Sequence, residues 1–255
     1  MPIASFIRPT PANFLEQIEI VNNYAALRVD RGAEVLAQMG ISEAFFGSIT
    51  GFQPDRTPKS WELALTVLRT AYYLVMRVKH ALACRRPHEY SPQLQPMIAA
   101  PMHGTLPSGH ATEAFTCAYV MWRLLKAAGR PPIWGEQLMR LANRIAVNRT
   151  VAGVHFPVDS AAGCMLGLTL GEYIVARCTN SSEYTAWRFD GTRFKGDFLW
   201  RALLDIEKGR KPATADGAAG PFVESAGPQS LDPAGRSPIL EWIWNEAVKE
   251  WKDTP

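Results

Sequence analysis

Hydrophobic positions recur at helical spacing through most of this chain. The longest such stretch runs from about Trp61 to Ala83. Further helices are predicted over 11–40 (one or two), 109–128, 134–150 and 157–178. Strand-like alternation of polar and apolar residues is nowhere sustained. The pattern therefore predicts an all-α fold, a soluble helical bundle.

The last quarter of the chain has a different composition. From Thr179 to Ser237 it is rich in Gly, Ala, Pro and Ser, and 211–235 has the composition of a linker. A final amphipathic segment, 238–251, places apolar side chains at helical spacing: Leu240, Ile243, Trp244, Ala247, Val248 and Trp251. We therefore predict a helical domain over 1–178 and an irregular arm over 179–255, whose terminal helix docks on the core or on a neighbouring subunit.

Composition narrows the class of protein. The 255 residues are 47% hydrophobic, which is enough for one substantial core. The net charge of +3, without a basic run interleaved with aromatic residues, argues against a nucleic-acid partner. No run of about eighteen residues is free of charge, and Met1–Leu15 lacks the apolar core of a signal peptide. We therefore expect no membrane segment and a cytoplasmic location.

The cysteines fit a reducing compartment. The chain has four of them, and they form no CxxC pair: Cys84, Cys117, Cys164 and Cys178. Most lie in apolar helical runs, where a thiol behaves as a small hydrophobic side chain. We expect them to be free and buried.

Three separated clusters hold most of the candidate chemistry. They are Lys79 with Arg86 and Pro87, then Pro107-Ser108-Gly109-His110, then Arg149 with His155 and Asp159. A phosphate-like or vanadate-like group spreads its charge over several oxygens, so it requires fixed cations and N–H donors. Together the clusters predict one site for a tetrahedral oxyanion.

Spacing supports convergence of the first two clusters. Lys79 and Arg86 are seven residues apart, which places them nearly on one helical face if the helix continues. A helix that begins at Ser108 would direct its free N–H groups and its positive end at the anion. Gly109 has no side chain that would hold a ligand away.

The third cluster requires a break in its helix. Arg149 and His155 are six residues apart, on different faces of a continuous helix, but Gly153 lies between them and Pro157 follows. Pro157 is suited to the first position of a new helix. Asp159 would then lie in the first turn, within reach of His155, where a carboxylate sets the imidazole tautomer.

This spacing over residues 79–159 resembles that of the type 2 phosphatidic acid phosphatase superfamily. That superfamily contains lipid phosphatases, bacterial acid phosphatases and vanadium-dependent haloperoxidases. The resemblance implies that His155 bonds phosphorus or vanadium, that His110 is the acid–base residue and that Asp159 supports His155. It also implies that the oxygens are held by Lys79, Arg86, Ser108, Gly109, His110 and Arg149.

Residues beside the clusters favour one branch of the superfamily. Asn148 stands where the phosphatases generally carry serine. His103 lies seven residues before His110, at a position that borders the halide pocket and is histidine in bromoperoxidases. Met76 departs from the tryptophan of haloperoxidases at that pocket. With no export signal or membrane span, the sequence favours a vanadium bromoperoxidase.

The expected reaction oxidises bromide or iodide with hydrogen peroxide to hypohalous acid, which halogenates a small organic acceptor. Vanadate, for which phosphate would compete, would be bound by His155 as its protein ligand, with Lys79 polarising the peroxide; neither haem nor flavin is required. The alternative is an acid phosphatase that hydrolyses phosphate monoesters through a phosphohistidine at His155. A second alternative is a phosphate- or vanadate-binding protein without turnover. The resemblance also implies a homo-oligomer.

Overall fold

The computed structural model describes residues 2–41, 43–214, 220–233 and 236–252. Its helices are α1 Pro11–Leu15, α2 Ile18–Tyr24, α3 Arg28–Ala37, α4 Glu43–Thr50, α5 Pro58–Leu82, α6 Gly109–Ala127, α7 Ile133–Val151, α8 Pro157–Cys178 and α9 Pro238–Lys252. Its strands are β1 Ala4–Ile7, β2 Glu183–Asp190, β3 Leu204–Asp205, β4 Gly209–Arg210 and β5 Val223–Ser230. Helices α5 to α8 match the predicted ones within about three residues, whereas 11–40 forms three short helices instead of one or two.

Helix α8 lies at the centre of the core, and nearly all of its residues are buried. It packs closely on α6 because three glycines, Gly163, Gly167 and Gly171, face that helix. A Cβ atom on Gly163 would lie 2.6 Å from the Ser108 carbonyl oxygen, and one on Gly167 would lie 2.6 Å from the Thr112 carbonyl oxygen. The backbone N–H of Ser108 also donates to the Asp159 carbonyl at 2.9 Å. The first turns of the two helices are therefore fixed to each other.

The expected all-α fold is incomplete, because a sheet packs against α8. Its strand order is β1-β2-β5, with β1 parallel and β5 antiparallel to β2. The register shifts between Ala186 and Trp187, so Tyr184 and Ala186 are buried before the shift and Trp187 and Phe189 after it. This bulge interrupts the period of two that identifies a strand in a sequence. Strands β3 and β4 form a separate small hairpin.

The C-terminal helix docks on its own chain. Apolar side chains of α9, among them Ile243 and Trp244, are buried in the main core. The Glu250 carboxylate accepts hydrogen bonds from the backbone N–H groups of Lys59 (2.7 Å) and Ser60 (2.9 Å) at the start of α5. Residues 215–219 and 234–235, in the segment predicted as a linker, lie outside the described residues, and the division at residue 178 stays a prediction.

Two further expectations concern the whole chain. All four cysteines are buried and free, as predicted. Within the described ranges, no helix has the length and apolar character needed to cross a membrane.

Candidate active site

One pocket of about 250 Å³ brings the three clusters together. It lies between α5, the N-terminal half of α6, the end of α7 and the loop that precedes α6. Eight of the residues singled out in the sequence line it: Met76, Lys79, Arg86, His103, Gly109, His110, Arg149 and His155. Ser108 and Asp159 are buried directly behind them. The convergence expected from the spacing is therefore present.

Arg86 reaches the pocket by a route that differs from the predicted one. Helix α5 ends at Leu82, and Ala83 adopts the left-handed conformation with φ of 47°. Arg86 follows in extended backbone. The prediction that Lys79 and Arg86 share one helical face is therefore wrong, and the left-handed residue turns the chain so that both still face the pocket.

The guanidinium group of Arg86 is held by backbone carbonyls. Its Nη1 donates to Val154 at 2.7 Å, and its Nε donates to Pro101 at 3.0 Å and to His103 at 3.1 Å. Its Nη2 lies 3.3 Å from His103 Nδ1. These contacts fix the direction of the group, and burial lowers its pKa.

Lys79 is buried on the last turn of α5. Its Nζ donates to the carbonyl oxygens of Gly104 (2.9 Å) and Thr105 (2.8 Å). Burial, together with the neighbouring Arg86, lowers the pKa of Lys79 to about 7. An anion in the pocket would oppose this shift and favour the ammonium form.

His155, Asp159 and Thr105 form a buried hydrogen-bonded group. Asp159 Oδ2 lies 3.0 Å from His155 Nδ1 and accepts hydrogen bonds from Thr105 Oγ1 (2.5 Å) and from the Phe156 N–H (2.8 Å). An ionised Asp159 accepts a hydrogen bond from His155 Nδ1–H, which leaves the lone pair on His155 Nε2. Burial and the neighbouring Lys79 hold the pKa of His155 well below its ordinary value, so the ring is neutral.

His110 is tied to the segment that follows α3. Its Nε2 lies 2.8 Å from the Gln38 carbonyl oxygen, so this nitrogen carries the proton and Nδ1 has the lone pair. Gln38 in turn accepts a 2.8 Å hydrogen bond from Asn148 Nδ2 through its side chain. Burial, aided by Arg149, lowers the pKa of His110 to about 4. His110 is therefore neutral near pH 7 when the pocket is empty.

Arg149 completes the set of cations. One of its Nη groups donates to the Val35 carbonyl oxygen at 3.0 Å. Its Nε–H is buried and has no hydrogen-bond partner within the described ranges. Burial lowers the pKa of Arg149 to about 10, so the group stays charged at neutral pH. An unsatisfied guanidinium N–H in this pocket is suited to an oxyanion such as phosphate or vanadate.

Ser108 and Gly109 begin α6. The Ser108 Oγ accepts from the Ala111 N–H at 3.3 Å and so caps the helix. Gly109 lines the pocket, where a Cβ atom would lie 3.7 Å from Lys79 Cε. The positive end of α6 is therefore beside the cations.

The sequence reasoning missed two groups at the site, Thr105 behind the pocket and Glu113 in its wall. Thr105 lies in an irregular loop, and no spacing rule points to it. Glu113 lies four residues after Gly109, on the same face of α6, and an acidic residue in that apolar helix was a signal that could have found it. Across the part of the chain that the structure describes, no group of three His, Cys, Asp or Glu side chains could hold a metal ion.

Comparisons with known proteins find similarity over the part of the chain that contains this site. The PAP2 superfamily profile matches residues 61–182. Decaprenylphosphoryl-5-phosphoribose phosphatase of Mycobacterium tuberculosis, in strains CDC 1551 and H37Rv, is 26% identical over 159 residues, which are 62% of this chain and 84% of the relative.

A solved structure resembles the fold. It is the first transmembrane PAP2 type phosphatidylglycerolphosphate phosphatase from Bacillus subtilis, with a TM-score of 0.50 and 22% identity over 64% of this chain and 84% of that chain. None of these comparisons supports the expected bromoperoxidase, and the curated relatives are phosphatases. Residues 61–182 are therefore similar to the PAP2 superfamily and to its phosphatases, and the solved structure shows similarity of fold.

Proposed function

We propose that this protein is a phosphatase that hydrolyses phosphate monoesters through a phosphohistidine at His155. One observation carries the proposal. The His155–Asp159 hydrogen bond (3.0 Å) leaves a neutral Nε2 nucleophile in a pocket lined by Lys79, Arg86 and Arg149. The activity named for the Mycobacterium tuberculosis relative is of the same chemical class.

Three cationic side chains would bind the phosphoryl group of the substrate. Arg86 and Arg149 offer rigid guanidinium donors, and Lys79 offers an ammonium group at the end of α5. A phosphoryl group with its dianionic charge would satisfy the unpartnered Nε–H of Arg149. Because the groups are already fixed by backbone carbonyls, little reorganisation is needed when charge develops on the equatorial oxygens.

The reaction then has two halves. His155 Nε2 attacks phosphorus as the ester P–O bond breaks, and Asp159 stabilises the positive charge that develops on the ring. Water next attacks the phosphohistidine, which releases inorganic phosphate and restores His155. His110, the acid–base residue that the superfamily implies, faces the same pocket. The bound dianion opposes the lowering of its pKa and lets its Nδ1 take part in proton transfer.

The decisive experiment compares two reactions of the purified protein. We expect hydrolysis of p-nitrophenyl phosphate, inhibition of it by orthovanadate, and a 32P label on wild-type protein that survives alkali but not acid. His155→Ala should lose about 10³-fold or more in kcat and should not be labelled. His80→Ala, which changes an exposed histidine on α5, is the matched control and should keep wild-type activity.

The rival reaction is measured beside it. Wild-type protein is incubated with vanadate, bromide, hydrogen peroxide and phenol red. Vanadate-dependent bromination without ester hydrolysis would replace our proposal with the haloperoxidase. Binding of phosphate without either turnover would instead identify a binding protein.

A further inference from the structure

The carboxyl group of Glu113 points into the oxyanion pocket from α6. Glu113 Oε1 lies 3.5 Å from the position that a Cβ atom on Gly109 would occupy, and Lys79 Cε lies 3.7 Å from the same position. Side chains of a helix lean toward its N-terminus, so Glu113 reaches over the bare backbone of Gly109. An acidic group is thus placed among cations that bind an anion.

This carboxyl group has no structural use of its own. Within the described residues no hydrogen bond or ion pair to Glu113 is found, although the residue is half-buried and lines the pocket. Burial raises the pKa of Glu113 to about 7, and the neighbouring Lys79 opposes that rise. The charged or titratable groups that share the pocket from the other elements are Tyr72, Lys79, Arg86, His103, Arg149 and His155, with His110 on α6 itself.

An ionised Glu113 would repel a phosphate dianion, so substrate binding favours its protonated form. A carboxylic acid in that state is a proton donor, and the first half of the reaction needs one. The leaving alkoxide of an ordinary alcohol is strongly basic and departs slowly without a proton. His110 directs its Nε2–H at the Gln38 carbonyl, away from such a role in the free enzyme.

We propose that Glu113 is a second proton donor of this pocket, which protonates the oxygen of the leaving alcohol. The inference rests on the proposed phosphatase function. As His155 Nε2 forms its bond to phosphorus, the ester P–O bond breaks and the carboxyl proton moves to the departing oxygen. The products are the alcohol, the phosphohistidine and the Glu113 carboxylate. Water then cleaves the phosphohistidine and gives its proton to His110 Nδ1, which passes it to solvent, while the Glu113 carboxylate regains a proton from solvent, so the carboxylic acid is restored.

The test separates esters by their leaving group. Wild-type protein and Glu113→Gln are compared with p-nitrophenyl phosphate, whose leaving group needs no proton, and with an alkyl phosphate, whose leaving group does. We expect Glu113→Gln to lower kcat for the alkyl ester about 10²-fold and for the nitrophenyl ester less than about threefold. Glu62→Gln makes the same change on the exposed face of α5 and should alter neither rate.

Binding of inorganic phosphate, measured by calorimetry at pH 8 in buffers of different ionisation enthalpy, provides a second readout. Glu113→Gln should bind phosphate and take up fewer protons than the wild type. Two results, each found together with unchanged proton uptake, would overturn the role of Glu113 and leave the phosphatase intact. They are an equal loss of kcat with both esters and no loss of kcat with either ester. Absence of hydrolysis by the wild type would instead overturn the proposed function itself.

Discussion

Thr105 connects the loop before α6 to the third cluster. Its hydroxyl group donates to Asp159 Oδ2 and lies 3.1 Å from His155 Nδ1. With the Phe156 N–H and His155 Nδ1–H, three donors therefore converge on one carboxylate oxygen, which keeps Asp159 oriented toward the imidazole. The neighbouring Asp159 Oδ1 is buried and unpartnered within the described ranges, so the orientation depends on Oδ2 alone.

Removal of this hydroxyl should weaken the nucleophile. We expect Thr105→Val, which keeps the shape of the side chain, to lower kcat about tenfold or more, because a hydrogen bond to a charged group contributes roughly 1.5–3 kcal/mol. Thr105→Ser retains the hydroxyl and should stay within about threefold of the wild type. The check is steady-state hydrolysis of p-nitrophenyl phosphate; equal losses in the two variants would show that the methyl group, and not the hydroxyl, matters.

Glu113 also gives stability a pH dependence. Its pKa is raised from 4.5 to about 7 by burial. Between these values the folded protein retains a proton that the unfolded chain has lost, so the contribution of Glu113 to stability falls as pH rises through this window. The Tm of Glu113→Gln should therefore rise relative to that of the wild type between pH 4.5 and about 7. Above about pH 7 the difference in Tm should stay constant. Thermal unfolding across this range tests it; a Tm difference independent of pH would contradict the raised pKa.

The sequence predicts the residues of the site better than it predicts the contacts that hold them in place. Lys79, His110, Arg149 and His155 were placed in one pocket from spacing and resemblance, because chemistry restricts their residue types. Gln38 was not found, although its backbone carbonyl holds His110, since any residue offers a carbonyl. A contact made by a backbone group does not restrict the residue type, so the sequence does not reveal it.

At the scale of elements, the close approach of α6 and α8 sets the position of the anion site. Gly163 faces the carbonyl of Ser108, which is the residue that caps the start of α6. A methyl group there must push the two helices apart or move the Ser108 turn. Packing of the helices and placement of the pocket therefore depend on the same surface.

Gly163→Ala should affect both stability and activity. We expect a loss of about 1–3 kcal/mol in the free energy of unfolding from overpacking, measured by urea denaturation. We expect kcat to fall about tenfold as well, because the first turn of α6 moves relative to His155. Gly40→Ala, in open space, should cost less than about 0.5 kcal/mol. If Gly163→Ala were as stable as the wild type, α6 and α8 would tolerate separation and the prediction would be wrong.

The elements differ in how far the sequence predicts them. Helices α5 to α8 follow from a period that continues without interruption over many turns. Strand β2 does not, because the bulge at Ala186 and Trp187 reverses the alternation midway. Strand β5 contains Gly227 and Pro228 and lies at an edge of the sheet, so its composition indicated a linker.

At the scale of the whole molecule, the C-terminal helix supports the start of the helix that carries Lys79. Glu250 provides a carboxylate to the free N–H groups of Lys59 and Ser60, where the helix dipole favours negative charge. Trp251 adds a 2.9 Å hydrogen bond from its indole N–H to Ser60 Oγ. One end of the chain thereby stabilises the scaffold of the pocket.

Loss of this cap should be measurable without any substrate. We expect Glu250→Ala to lower the free energy of unfolding by about 1–2 kcal/mol, the range for a helix cap. Glu246→Ala removes a partly exposed carboxylate one turn earlier, paired with Lys249 at 2.6 Å, and should cost less than about 0.5 kcal/mol. Chemical denaturation of the two variants tests the prediction; equal effects would show that Glu250 acts only as a surface charge.

The parallel pairing of β1 with β2 affects the order in which the chain folds during its synthesis. Ala4 pairs with Trp187, so the partner of the first strand leaves the ribosome roughly 180 residues later. At about 5–20 residues per second, this delay is about 9–36 s. The helices between them can pack during this time, whereas β1 has no partner strand. Sheet closure is therefore a late step of folding, and the nascent protein must keep a short apolar strand available until then.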